Sequence, residues 1–395
     1  MTEQTRRPTA LLTLAVGCNQ LINWGISFYM PGTFARAIHQ DTGWPATHIY
    51  LGLTLAMLIM ALLSPSVAPL LARAGGQRVV LCGTLTIAAG CFMMATVHSL
   101  TGWLGAWLLT GIGMRLALYD ALFAALVNLY GQQARRTISR VTLAGGLASA
   151  LFWPLGAALL TVTDWRHALL VYGLLGLLSA FLLWRMPNHT QPVAIRRHER
   201  LPASHHEKRM GLLYATLIAL VTFVSNGTST HLPEFIASYG LPVAVGMLWG
   251  VGQTGARFLE VASGSALTPL KLTLLTTFLM PLCFALGLSA PSIAWAAAGF
   301  VLGYGAINGL TTVFKATLPL QLFATQDYAR RTGILLIPAQ LLAAASPFAY
   351  AWLNQHLGIQ GSLGVSAGLA LVVAGLALAI ARDQALRPSP TLSPP

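Results

Sequence analysis

Five ionisable side chains lie within, or at the edge of, long apolar runs of the sequence: Arg115, Asp120, Arg257, Glu260 and Lys315. A charge in such surroundings is costly, and it usually faces a water-filled cavity or a partner of opposite sign. Three of the five are basic and two are acidic, which modestly favours an anionic ligand. These residues are therefore the first candidates for a functional site.

Arg115 is the first candidate for binding an anion, because its planar guanidinium matches the geometry of carboxylate or phosphate. Tyr119 lies one helical turn further on and shares its face. Asp120 would lie about 140° around the same helix, which makes it a poor partner within that helix. We predict that Arg115 and Tyr119 bind an anionic group. The alternative is a structural ion pair of Arg115 with Asp120, or with Glu260 from another helix.

Arg257 and Glu260 are three residues apart, so a helix would place them on one face, with Gln253 one turn earlier. A carboxylate in this position can gain or lose a proton as its surroundings change. The alternative is a permanent salt bridge between the two side chains that latches one end of the helix.

Neutral polar residues form a stripe in another apolar run. Tyr304, Asn308 and Lys315 fall on one helical face, with Thr311 and Thr312 between them. Such a stripe most often faces water or a neighbouring helix. We predict that it lines a cavity, although Lys315 could instead extend to lipid headgroups from the end of the run.

Three asparagines complete the set of candidate binding residues. Asn19 and Asn23 are one turn apart in the first run, and Asn226 lies in a polar, glycine-containing stretch at residues 225–230. That stretch could interrupt its helix and offer backbone groups to a ligand. In both places the alternative is hydrogen bonding between helices.

The composition indicates what kind of element must position these residues. Of the 395 residues, 55% are hydrophobic and only 8% are charged, against about 25% in a typical soluble domain. The mean hydropathy is +0.68. This composition excludes a soluble enzyme, a disordered protein and a nucleic-acid-binding domain.

Apolar runs long enough to cross a membrane account for most of the chain, since a transmembrane helix needs about 20 residues. Twelve such runs lie at roughly 11–34, 47–71, 79–98, 103–127, 141–162, 166–185, 211–233, 241–262, 272–289, 292–315, 333–353 and 363–381. They are too long and continuous for the strands of a β-barrel. We predict an all-α membrane protein with twelve transmembrane helices. It comprises a six-helix bundle (1–185), a cytoplasmic central loop (186–210), a second six-helix bundle (211–382) and a disordered cytoplasmic tail (383–395).

Basic residues predict the orientation. Most of them fall in alternate connections, and only Arg36 and Arg166 fall in the opposite set. Basic loops stay in the cytoplasm, so both termini are expected inside, and the net charge of +13 needs no nucleic-acid partner. The histidines, His231 among them, are assigned to connections rather than spans. That assignment argues against a histidine-based proton relay in the membrane.

The two halves of the sequence echo each other at an offset of about half the chain. Gly111-Ile-Gly113, Ala134-Arg-Arg-Thr137 and Pro154 in the first half correspond in order to Gly303-Tyr-Gly305, Ala329-Arg-Arg-Thr332 and Pro347 in the second. Corresponding spans would run in the same direction. This is the parallel repeat of a transporter built from two bundles, with the substrate site between them.

Across essentially its whole length the chain resembles the major facilitator superfamily. The loop Ala68-Pro-Leu-Leu-Ala-Arg-Ala-Gly-Gly-Gln-Arg78 is similar to the signature loop of that superfamily. It keeps Arg73, Gly75 and Arg78, but Ala72 stands where the usual aspartate would be. The resemblance implies that Arg73 and Arg78 take part in gating.

Within the superfamily, several segments are similar to bacterial monocarboxylate-porter-like members. They are Asn23-Trp-Gly25, Tyr130 with Arg135-Arg136, Asp164-Trp-Arg166, Gly252-Gln-Thr-Gly-Ala-Arg257 and Thr317-Leu-Pro-Leu320. Porters of that type carry an acid–base pair on the eighth span for proton coupling and substrate contact. There the acid precedes the base, whereas here Glu260 follows Arg257.

The resemblance implies a proton-coupled secondary transporter that moves a small organic anion by alternating access across a bacterial inner membrane. The substrate would meet Arg115, Tyr119, Asn19, Asn23, Asn226, Tyr304, Asn308 and Lys315, and coupling or gating would involve Arg257, Glu260, Asp120, Gln253, Arg73 and Arg78. We expect a monomer in the lipid bilayer, with no cofactor, no metal and no nucleic-acid partner. The alternative is an exporter of drugs or arsenicals on the same fold. A membrane enzyme or receptor is more remote, because no HExxH or GxSxG motif and no P-loop is present.

Overall fold

The computed structural model describes residues 9–130, 134–184, 186–187, 205–263, 267–291, 293–323 and 335–385, and these residues are helical apart from short connections. The first half contains α1 (Ala10–Ile26), α2 (Met30–Thr42), α3 (Ala46–Ala74), α4 (Gly76–Thr96), α5 (Leu100–Ala117), α6 (Tyr119–Tyr130), α7 (Ala134–Gly146), α8 (Ala148–Val162) and α9 (Trp165–Leu183). The second half contains α10 (His205–Ser238), a 3-10 turn (Val243–Gly246), α11 (Met247–Ala262), α12 (Pro269–Ser289), α13 (Ala294–Leu322) and α14 (Ile337–Ala385).

Ten helical segments of the described chain are long and apolar enough to cross a membrane. Their outer faces suit lipid, because large apolar side chains such as Leu62 and Phe181 (each 73% exposed) and Leu371 (63%) point away from the protein. The run at 241–262 corresponds to the 3-10 turn and the 16-residue α11, which is shorter than the other segments. The runs at 333–353 and 363–381 both fall within α14.

Helix α14 is a hairpin of two antiparallel arms. Gly358 inside it has φ 67° and ψ 174°, a backbone conformation that suits glycine because it has no Cβ. The Tyr350 hydroxyl lies 2.7 Å from Ser366 Oγ, although a straight helix would separate residues sixteen positions apart by about 24 Å. The eleventh and twelfth apolar runs therefore pack side by side.

Three segments of the first half are interrupted, where the sequence predicts continuous helices. The first bends at residues 27–29 between α1 and α2, and the amide of Tyr29 donates to the carbonyl of Trp24, five residues back. The second is broken at Leu118, whose ψ of −177° is extended, between α5 and α6. The third bends at Leu147 between α7 and α8. The apolar runs at 11–34, 103–127 and 141–162 give no sign of these interruptions, because each run continues through the interrupted residues.

Several helices begin at side chains that accept a backbone hydrogen bond, as N-cap residues do. Ser99 caps α5, Thr268 caps α12 and Asp164 caps α9. At Asp164, hydrogen bonds from the backbone N–H and the side chain of His167 lower the pKa of the carboxyl below its ordinary value. A carboxyl group whose pKa is lowered on folding stabilises the folded protein at pH values above its ordinary pKa. That stabilisation is lost as the pH falls through the lower pKa of the folded state.

Close helix packing within each half depends on glycines, including those of the repeat. Gly111 lies against the backbone of Ala56, and Gly113 lies against the carbonyl of Gly83. In the second half, Gly305 lies against the carbonyl of Trp249. Small residues at these positions let helix backbones approach closely, which is the main source of packing energy between helices in lipid.

The halves meet along a few helix pairs. Helix α3 packs on α14, α8 packs on α11 and the 3-10 turn, and α2 packs on α10. For orientation, the Gly43 end of the molecule is the end with the connections at residues 43–45, 97–99, 163–164 and 239–246, and the Gly75 end is the opposite one. Hydrogen bonds between the halves at the Gly43 end join Tyr50 to Glu234 and the amide of Phe348 to Thr54 Oγ1.

Some sequence predictions lie outside the described residues. They include residues 188–204 of the central loop, residues 386–395 of the tail and the second copy of the Ala-Arg-Arg-Thr repeat at 329–332. The division into domains at 185, 210 and 382 therefore stays a prediction, although helices before residue 187 and after residue 205 pack mainly within their own groups.

We expect Gly305→Ala to destabilise the protein and Gly255→Ala to leave it as stable or stabilise it. A Cβ at Gly305 would collide with the carbonyl oxygen of Trp249, whereas nothing lies within 4 Å of a Cβ at Gly255. Overpacking costs about 1–3 kcal/mol, and the open site gains helix propensity of up to about 1 kcal/mol. The melting temperatures of the two purified variants in detergent test this, and equal temperatures would contradict it.

Candidate functional site

An aromatic cluster lies where the helices of the first half are interrupted. The rings of Trp24 and Tyr119 have centroids 5.1 Å apart, and Tyr29 lies 6.4 Å from Trp24 and 5.5 Å from Trp153. Tyr29 precedes α2 and Tyr119 is the first residue of α6, so the interruptions at residues 27–29 and at Leu118 bring these rings together. Discontinuous helices of this kind are typical of substrate sites in transporters.

Arg257 reaches this region from the other half. From α11, its Nη2 donates to Thr312 Oγ1 (2.9 Å) and its Nε to the carbonyl of Gly309 (3.4 Å), both on α13. Its Nη1 donates to the carbonyl of Thr142 on α7, across the interface (3.5 Å). All of these partners are neutral, so the described contacts leave the charge of Arg257 without a carboxylate partner.

Two tyrosines of the aromatic cluster, Tyr29 and Tyr119, lie near Arg257. The Tyr119 hydroxyl donates to the same Thr142 carbonyl (3.4 Å). Both Tyr29 and Tyr119 are close enough to interact electrostatically with the guanidinium. We define the Arg257 site as Tyr29, Tyr119, Thr142, Gln253 and Arg257.

Gln253 and Gly146 complete the geometry of the Arg257 site. Gln253 is buried, and its Oε1 has no hydrogen-bond partner among the described residues. A Cβ at Gly146 would lie 3.6 Å from Arg257 Nη1 and 3.7 Å from Gln253 Nε2. Glycine therefore leaves space beside two polar groups that have capacity for a ligand.

Arg115 forms the ion pair that the sequence geometry disfavours. Its Nη1 lies 2.7 Å from Asp120 Oδ2, and the two side chains are 13% and 67% exposed. The prediction of poor geometry assumed one continuous helix, but the extended residue Leu118 ends α5 and redirects α6. Arg115 and Asp120 therefore sit on different helices and meet. Tyr119 leaves the face of Arg115 for the same reason and joins the aromatic cluster.

The polar stripe of α13 divides between two environments. Tyr304 is fully buried and packs on Trp249, Phe284 and Phe300, with ring centroids 4.8–6.0 Å away, so it belongs to the core of the second half rather than to a cavity. Thr312 is exposed and contacts Arg257.

The rest of the stripe lies between these environments. Asn308 is half-buried, one residue before the Gly309 carbonyl that accepts from Arg257. Lys315 is also partly buried and interacts electrostatically with Asp120 of the other half. Asp120 thus faces one cation from each half.

Asn19 and Asn23 join helices rather than line a cavity. Asn19 Nδ2 donates to Ser179 Oγ (2.7 Å) and Thr84 Oγ1 (3.1 Å), and Asn23 Nδ2 donates to Thr84 Oγ1 (3.0 Å). Both asparagines are fully buried, and neighbouring Gln20 donates to the carbonyl of Ala117 (2.7 Å). This arrangement is the alternative of hydrogen bonding between helices.

The predicted break near Asn226 is wrong, because α10 continues through it from residue 205 to residue 238. The Asn226 carbonyl accepts hydrogen bonds from the hydroxyls of Ser229 (3.1 Å) and Thr230 (2.7 Å), so hydroxyls within the helix satisfy the polar stretch locally. Gly227 is present for packing, since a Cβ there would collide with the ring of Tyr350.

The remaining predicted coupling residues are dispersed. Glu260 is partly buried at the Gly75 end of α11, and the described contacts of Arg257 do not include it. Arg73 and Arg78 are exposed on either side of Gly75, whose φ of 85° makes the tight turn between α3 and α4. Gln77 anchors this turn by donating to the carbonyls of Leu183 and Trp184.

A polar cluster at the Gly43 end is absent from the sequence-based candidates. The sequence places His231 in a connection, but the residue is fully buried inside α10. It contacts Glu234, which in turn contacts Tyr50 of α3 and Asn354 of α14. The signal that could have found it is the i, i+3 spacing of His231 and Glu234 at the end of an apolar run.

A cavity of about 680 Å³ opens beside this cluster at the Gly43 end. Its polar lining includes Arg36, Asp41, Asp164, Arg166 and Glu234. Within the described ranges, no group of three or more His, Cys, Asp or Glu residues could hold a metal ion.

Comparisons with known proteins agree with this architecture. A family model described as Major Facilitator Superfamily matches residues 12–323. A search of curated protein sequences returns no significant match. Solved structures that are similar in fold include the nucleoside transporter NupG and a D-xylose-proton symporter. NupG has a TM-score of 0.72 and 12% identity, with 96% of this chain and 100% of that chain covered. The symporter has a TM-score of 0.75 and 14% identity, with 93% and 96% covered.

A third similar structure is a bacterial homologue of the human lysosomal transporter Spinster, in an inward-facing and unoccupied conformation. Its TM-score is 0.71 with 13% identity, and 99% of this chain and 100% of that chain are covered. Identities this low support the fold and leave the substrate open.

We expect Arg115 and Asp120 to stabilise the protein as a pair. Asp120→Ala should lower the melting temperature in the parent protein, because it leaves a mostly buried guanidinium without its carboxylate. In an Arg115→Ala background it should have little effect. The coupling should be about 1 kcal/mol or less, since Asp120 is largely exposed. A double-mutant cycle of melting temperatures in detergent measures it, and strictly additive effects would argue that the two side chains act independently.

Proposed function

We propose, from the premise that the chain belongs to the Major Facilitator Superfamily, that it is a secondary transporter of a small organic anion driven by protons. Membership rests on the family match over residues 12–323. The protein is a multi-pass membrane transporter and not an enzyme. The anionic substrate, the proton coupling and the bacterial inner membrane are parts of the proposal.

Twelve crossings with both termini in the cytoplasm are also proposed. The two arms of α14 support two of them, because the Tyr350–Ser366 contact requires antiparallel helices. The interrupted pairs α1–α2, α5–α6 and α7–α8 each count as one crossing. With the basic connections inside, the Gly75 end is cytoplasmic and the Gly43 end is external.

Among the described residues no carboxylate pairs with Arg257, and this charge without a described counter-charge is the observation that carries the anion proposal. Arg115 has a carboxylate at 2.7 Å, whereas the hydrogen bonds of Arg257 go to two carbonyls and a hydroxyl. A substrate carboxylate would offer two charged acceptors to the same planar fork, and a charge-assisted bond is roughly twice as strong as a neutral one. Arg257 therefore replaces Arg115 as the proposed anchor, in agreement with the resemblance to monocarboxylate-type porters.

Neighbouring groups support a small substrate at the Arg257 site. Tyr119 offers a hydroxyl, Gln253 a buried amide and Trp24 an aromatic face, and the position of Gly146 leaves space between the halves. Lys315 adds positive charge towards the Gly75 end and shares Asp120 with Arg115. Cations outnumber the acid in this group, which attracts anions from that side.

Alternating access follows from where the halves touch. Arg257 joins α7 of the first half to α13 of its own half through Thr142, Gly309 and Thr312. An arriving carboxylate would compete for the guanidinium and weaken its bond to Thr142. Substrate binding would thereby change the contact between the halves, which is the differential interaction that a rocking motion requires.

Arg257→Ala should abolish binding of the substrate, and Arg257→Lys should weaken it strongly, because an ammonium cannot form the two parallel bonds of a guanidinium. The measurement is a thermal-shift screen of purified protein against small carboxylates, followed by uptake of the best ligand into proteoliposomes. Loss of one charge-assisted contact corresponds to at least a tenfold weaker affinity.

The matched control for this screen is Arg382→Ala, which removes an exposed arginine in the last turn of α14. It should bind the ligand as the parent does. If carboxylates stabilise Arg257→Ala as well as they stabilise the parent, the proposed anion site is wrong.

A second prediction concerns Glu260, which lies outside the Arg257 site and stays the sequence-based candidate for coupling. Glu260→Gln removes its ability to lose a proton while keeping its size. Uptake driven by a pH gradient should fall, and exchange of labelled for unlabelled substrate should continue, since exchange needs no net proton movement. Gradient-driven uptake equal to that of the parent would make Glu260 a structural residue.

A further inference from the structure

The buried cluster at the Gly43 end joins an imidazole, a carboxylate and both halves of the protein. We propose that His231 and Glu234 hold one exchangeable proton, and that this proton keeps the Gly43 end closed. The inference rests on the proposed proton-driven transport and gives it a second titrating site, apart from the Arg257 site.

The hydrogen bond at Nε2 fixes which ring nitrogen of His231 always carries a proton. Its ring is fully buried in α10, and Nε2 lies 2.9 Å from the carbonyl oxygen of Pro347 on α14. A carbonyl oxygen can only accept a hydrogen bond, so Nε2 carries a proton. The other ring nitrogen, Nδ1, is therefore the one whose protonation can change.

On the other side of the ring, His231 contacts the carboxyl group of Glu234. His231 Nδ1 lies 3.1 Å from Glu234 Oε2. If neither atom carried a proton, two lone pairs would face each other at this distance. One proton must lie between them, either as an imidazolium beside a carboxylate or as a neutral imidazole beside a carboxylic acid. The closed arrangement therefore contains a single dissociable proton, whichever of the two groups carries it.

The shared proton is linked to the contact between the halves through Glu234. Tyr50 on α3 donates its hydroxyl to Glu234 Oε1 (3.0 Å), and its ring lies 3.9 Å from the ring of His231. Asn354 Nδ2 on α14 donates to Glu234 Oε2 (3.1 Å), and the same Nδ2 lies 3.4 Å from His231 Nδ1, which is longer than an ordinary hydrogen bond. When the proton leaves, Nδ1 and Oε2 repel each other and Glu234 must move. That movement pulls on the bond to Tyr50, which joins the two halves.

The proton has a route to the surface. The Glu234 side chain is 27% exposed and lines the cavity of about 680 Å³, together with Arg36, Asp41, Asp164 and Arg166. It also lines a second cavity of about 450 Å³, next to His39. Tyr350 stacks on the inner side of His231 at 6.1 Å.

The groups around His231 and Glu234 determine which pH the shared proton responds to. The charged groups of α2 and of the region around α9 lie across the cavity from Glu234, where solvent screens them. Tyr50, Asn354 and Tyr350 contact the pair directly, and they are neutral. The dissociable proton therefore responds mainly to the pH at the Gly43 side, which the proposed orientation makes external. Uptake of a proton from outside would close this end, as a symport cycle requires.

The experiment compares Glu234→Gln and His231→Gln with His356→Gln. His356 is an exposed histidine on α14 near the same end and bonds only to the carbonyl of Trp352 among the described contacts. Opening of the Gly43 end is followed by the rate at which a maleimide labels a cysteine introduced at Thr33, a residue that lines the larger cavity. Maleimides react with the thiolate, so every cysteine labels faster at higher pH, and each rate is therefore divided by the rate at the same pH for a cysteine introduced at the exposed Thr101. This normalised rate should be at least several-fold higher at pH 8 than at pH 5.5 in the parent and in His356→Gln. Both pair variants should lose that dependence.

This readout needs no substrate, so it separates the inference from the proposed function. If the parent shows the pH dependence and both pair variants keep it, the inference is wrong whatever the substrate. If the pair variants lose it but no carboxylate binds at Arg257, the gate stands and the anion proposal fails. If the pair variants do not fold, Tyr50→Phe, which keeps the pair and removes only the hydrogen bond from Tyr50 to Glu234, should show a high normalised labelling rate at both pH values. A low normalised rate for that variant at pH 5.5 would overturn the inference.

Discussion

The hydrogen bonds of Arg257 are the interaction on which the rest of the site depends. A guanidinium cannot lose its charge in a protein, so burying it between two helix bundles requires polar partners. The partners it finds are backbone carbonyls of α7 and α13 and one threonine hydroxyl. Each is weaker than a carboxylate would be. The charge is therefore held in place and keeps capacity for the proposed anion, which would act through Arg257 on the contact between the halves.

The interrupted helices position the groups that face Arg257. In an apolar surrounding every backbone group must be satisfied, so an interruption persists only where side chains or cavities can satisfy it. The interruptions at residues 27–29 and at Leu118 bring Trp24, Tyr29 and Tyr119 to the side facing Arg257. The break at Leu118 also lets Arg115 reach Asp120, which pairs one arginine with a carboxylate, whereas Arg257 has no carboxylate partner in the part of the chain that the structure describes. The two arginines carry the same charge and differ only in where that charge lies.

A second polar centre closes the Gly43 end with different chemistry. Where Arg257 is permanently charged, His231 and Glu234 share a proton that can leave. Their contacts reach three helices, α3, α10 and α14, that come from both halves. Two centres along the interface, one proposed to bind an anion and one proposed to hold a proton, would form a simple basis for coupling the transport of the two.

The long apolar runs of the sequence were enough to predict a helical membrane protein, and the glycine repeat marked positions of close packing, such as Gly111 and Gly305. The sequence also pointed to Arg257 as a candidate. It could not assign roles, because the roles of Arg115, Tyr119 and Asp120 depend on one extended residue, Leu118, in an otherwise helical stretch. The same limit applies to Tyr304, which shares a stripe with Thr312 but is fixed in an aromatic core by its neighbours.

By itself the sequence determined that this chain must bury long apolar helices in a membrane, because 8% charge cannot cover a water-exposed surface of this size. Only the tertiary structure decided which polar groups satisfy one another and which are left with capacity to bind. Asn19 finds Ser179 across 160 positions of sequence, and Tyr50 finds Glu234 across 184. The physical reason is that hydrogen bonds act over about 3 Å in space, and helix packing, not spacing along the chain, sets those distances.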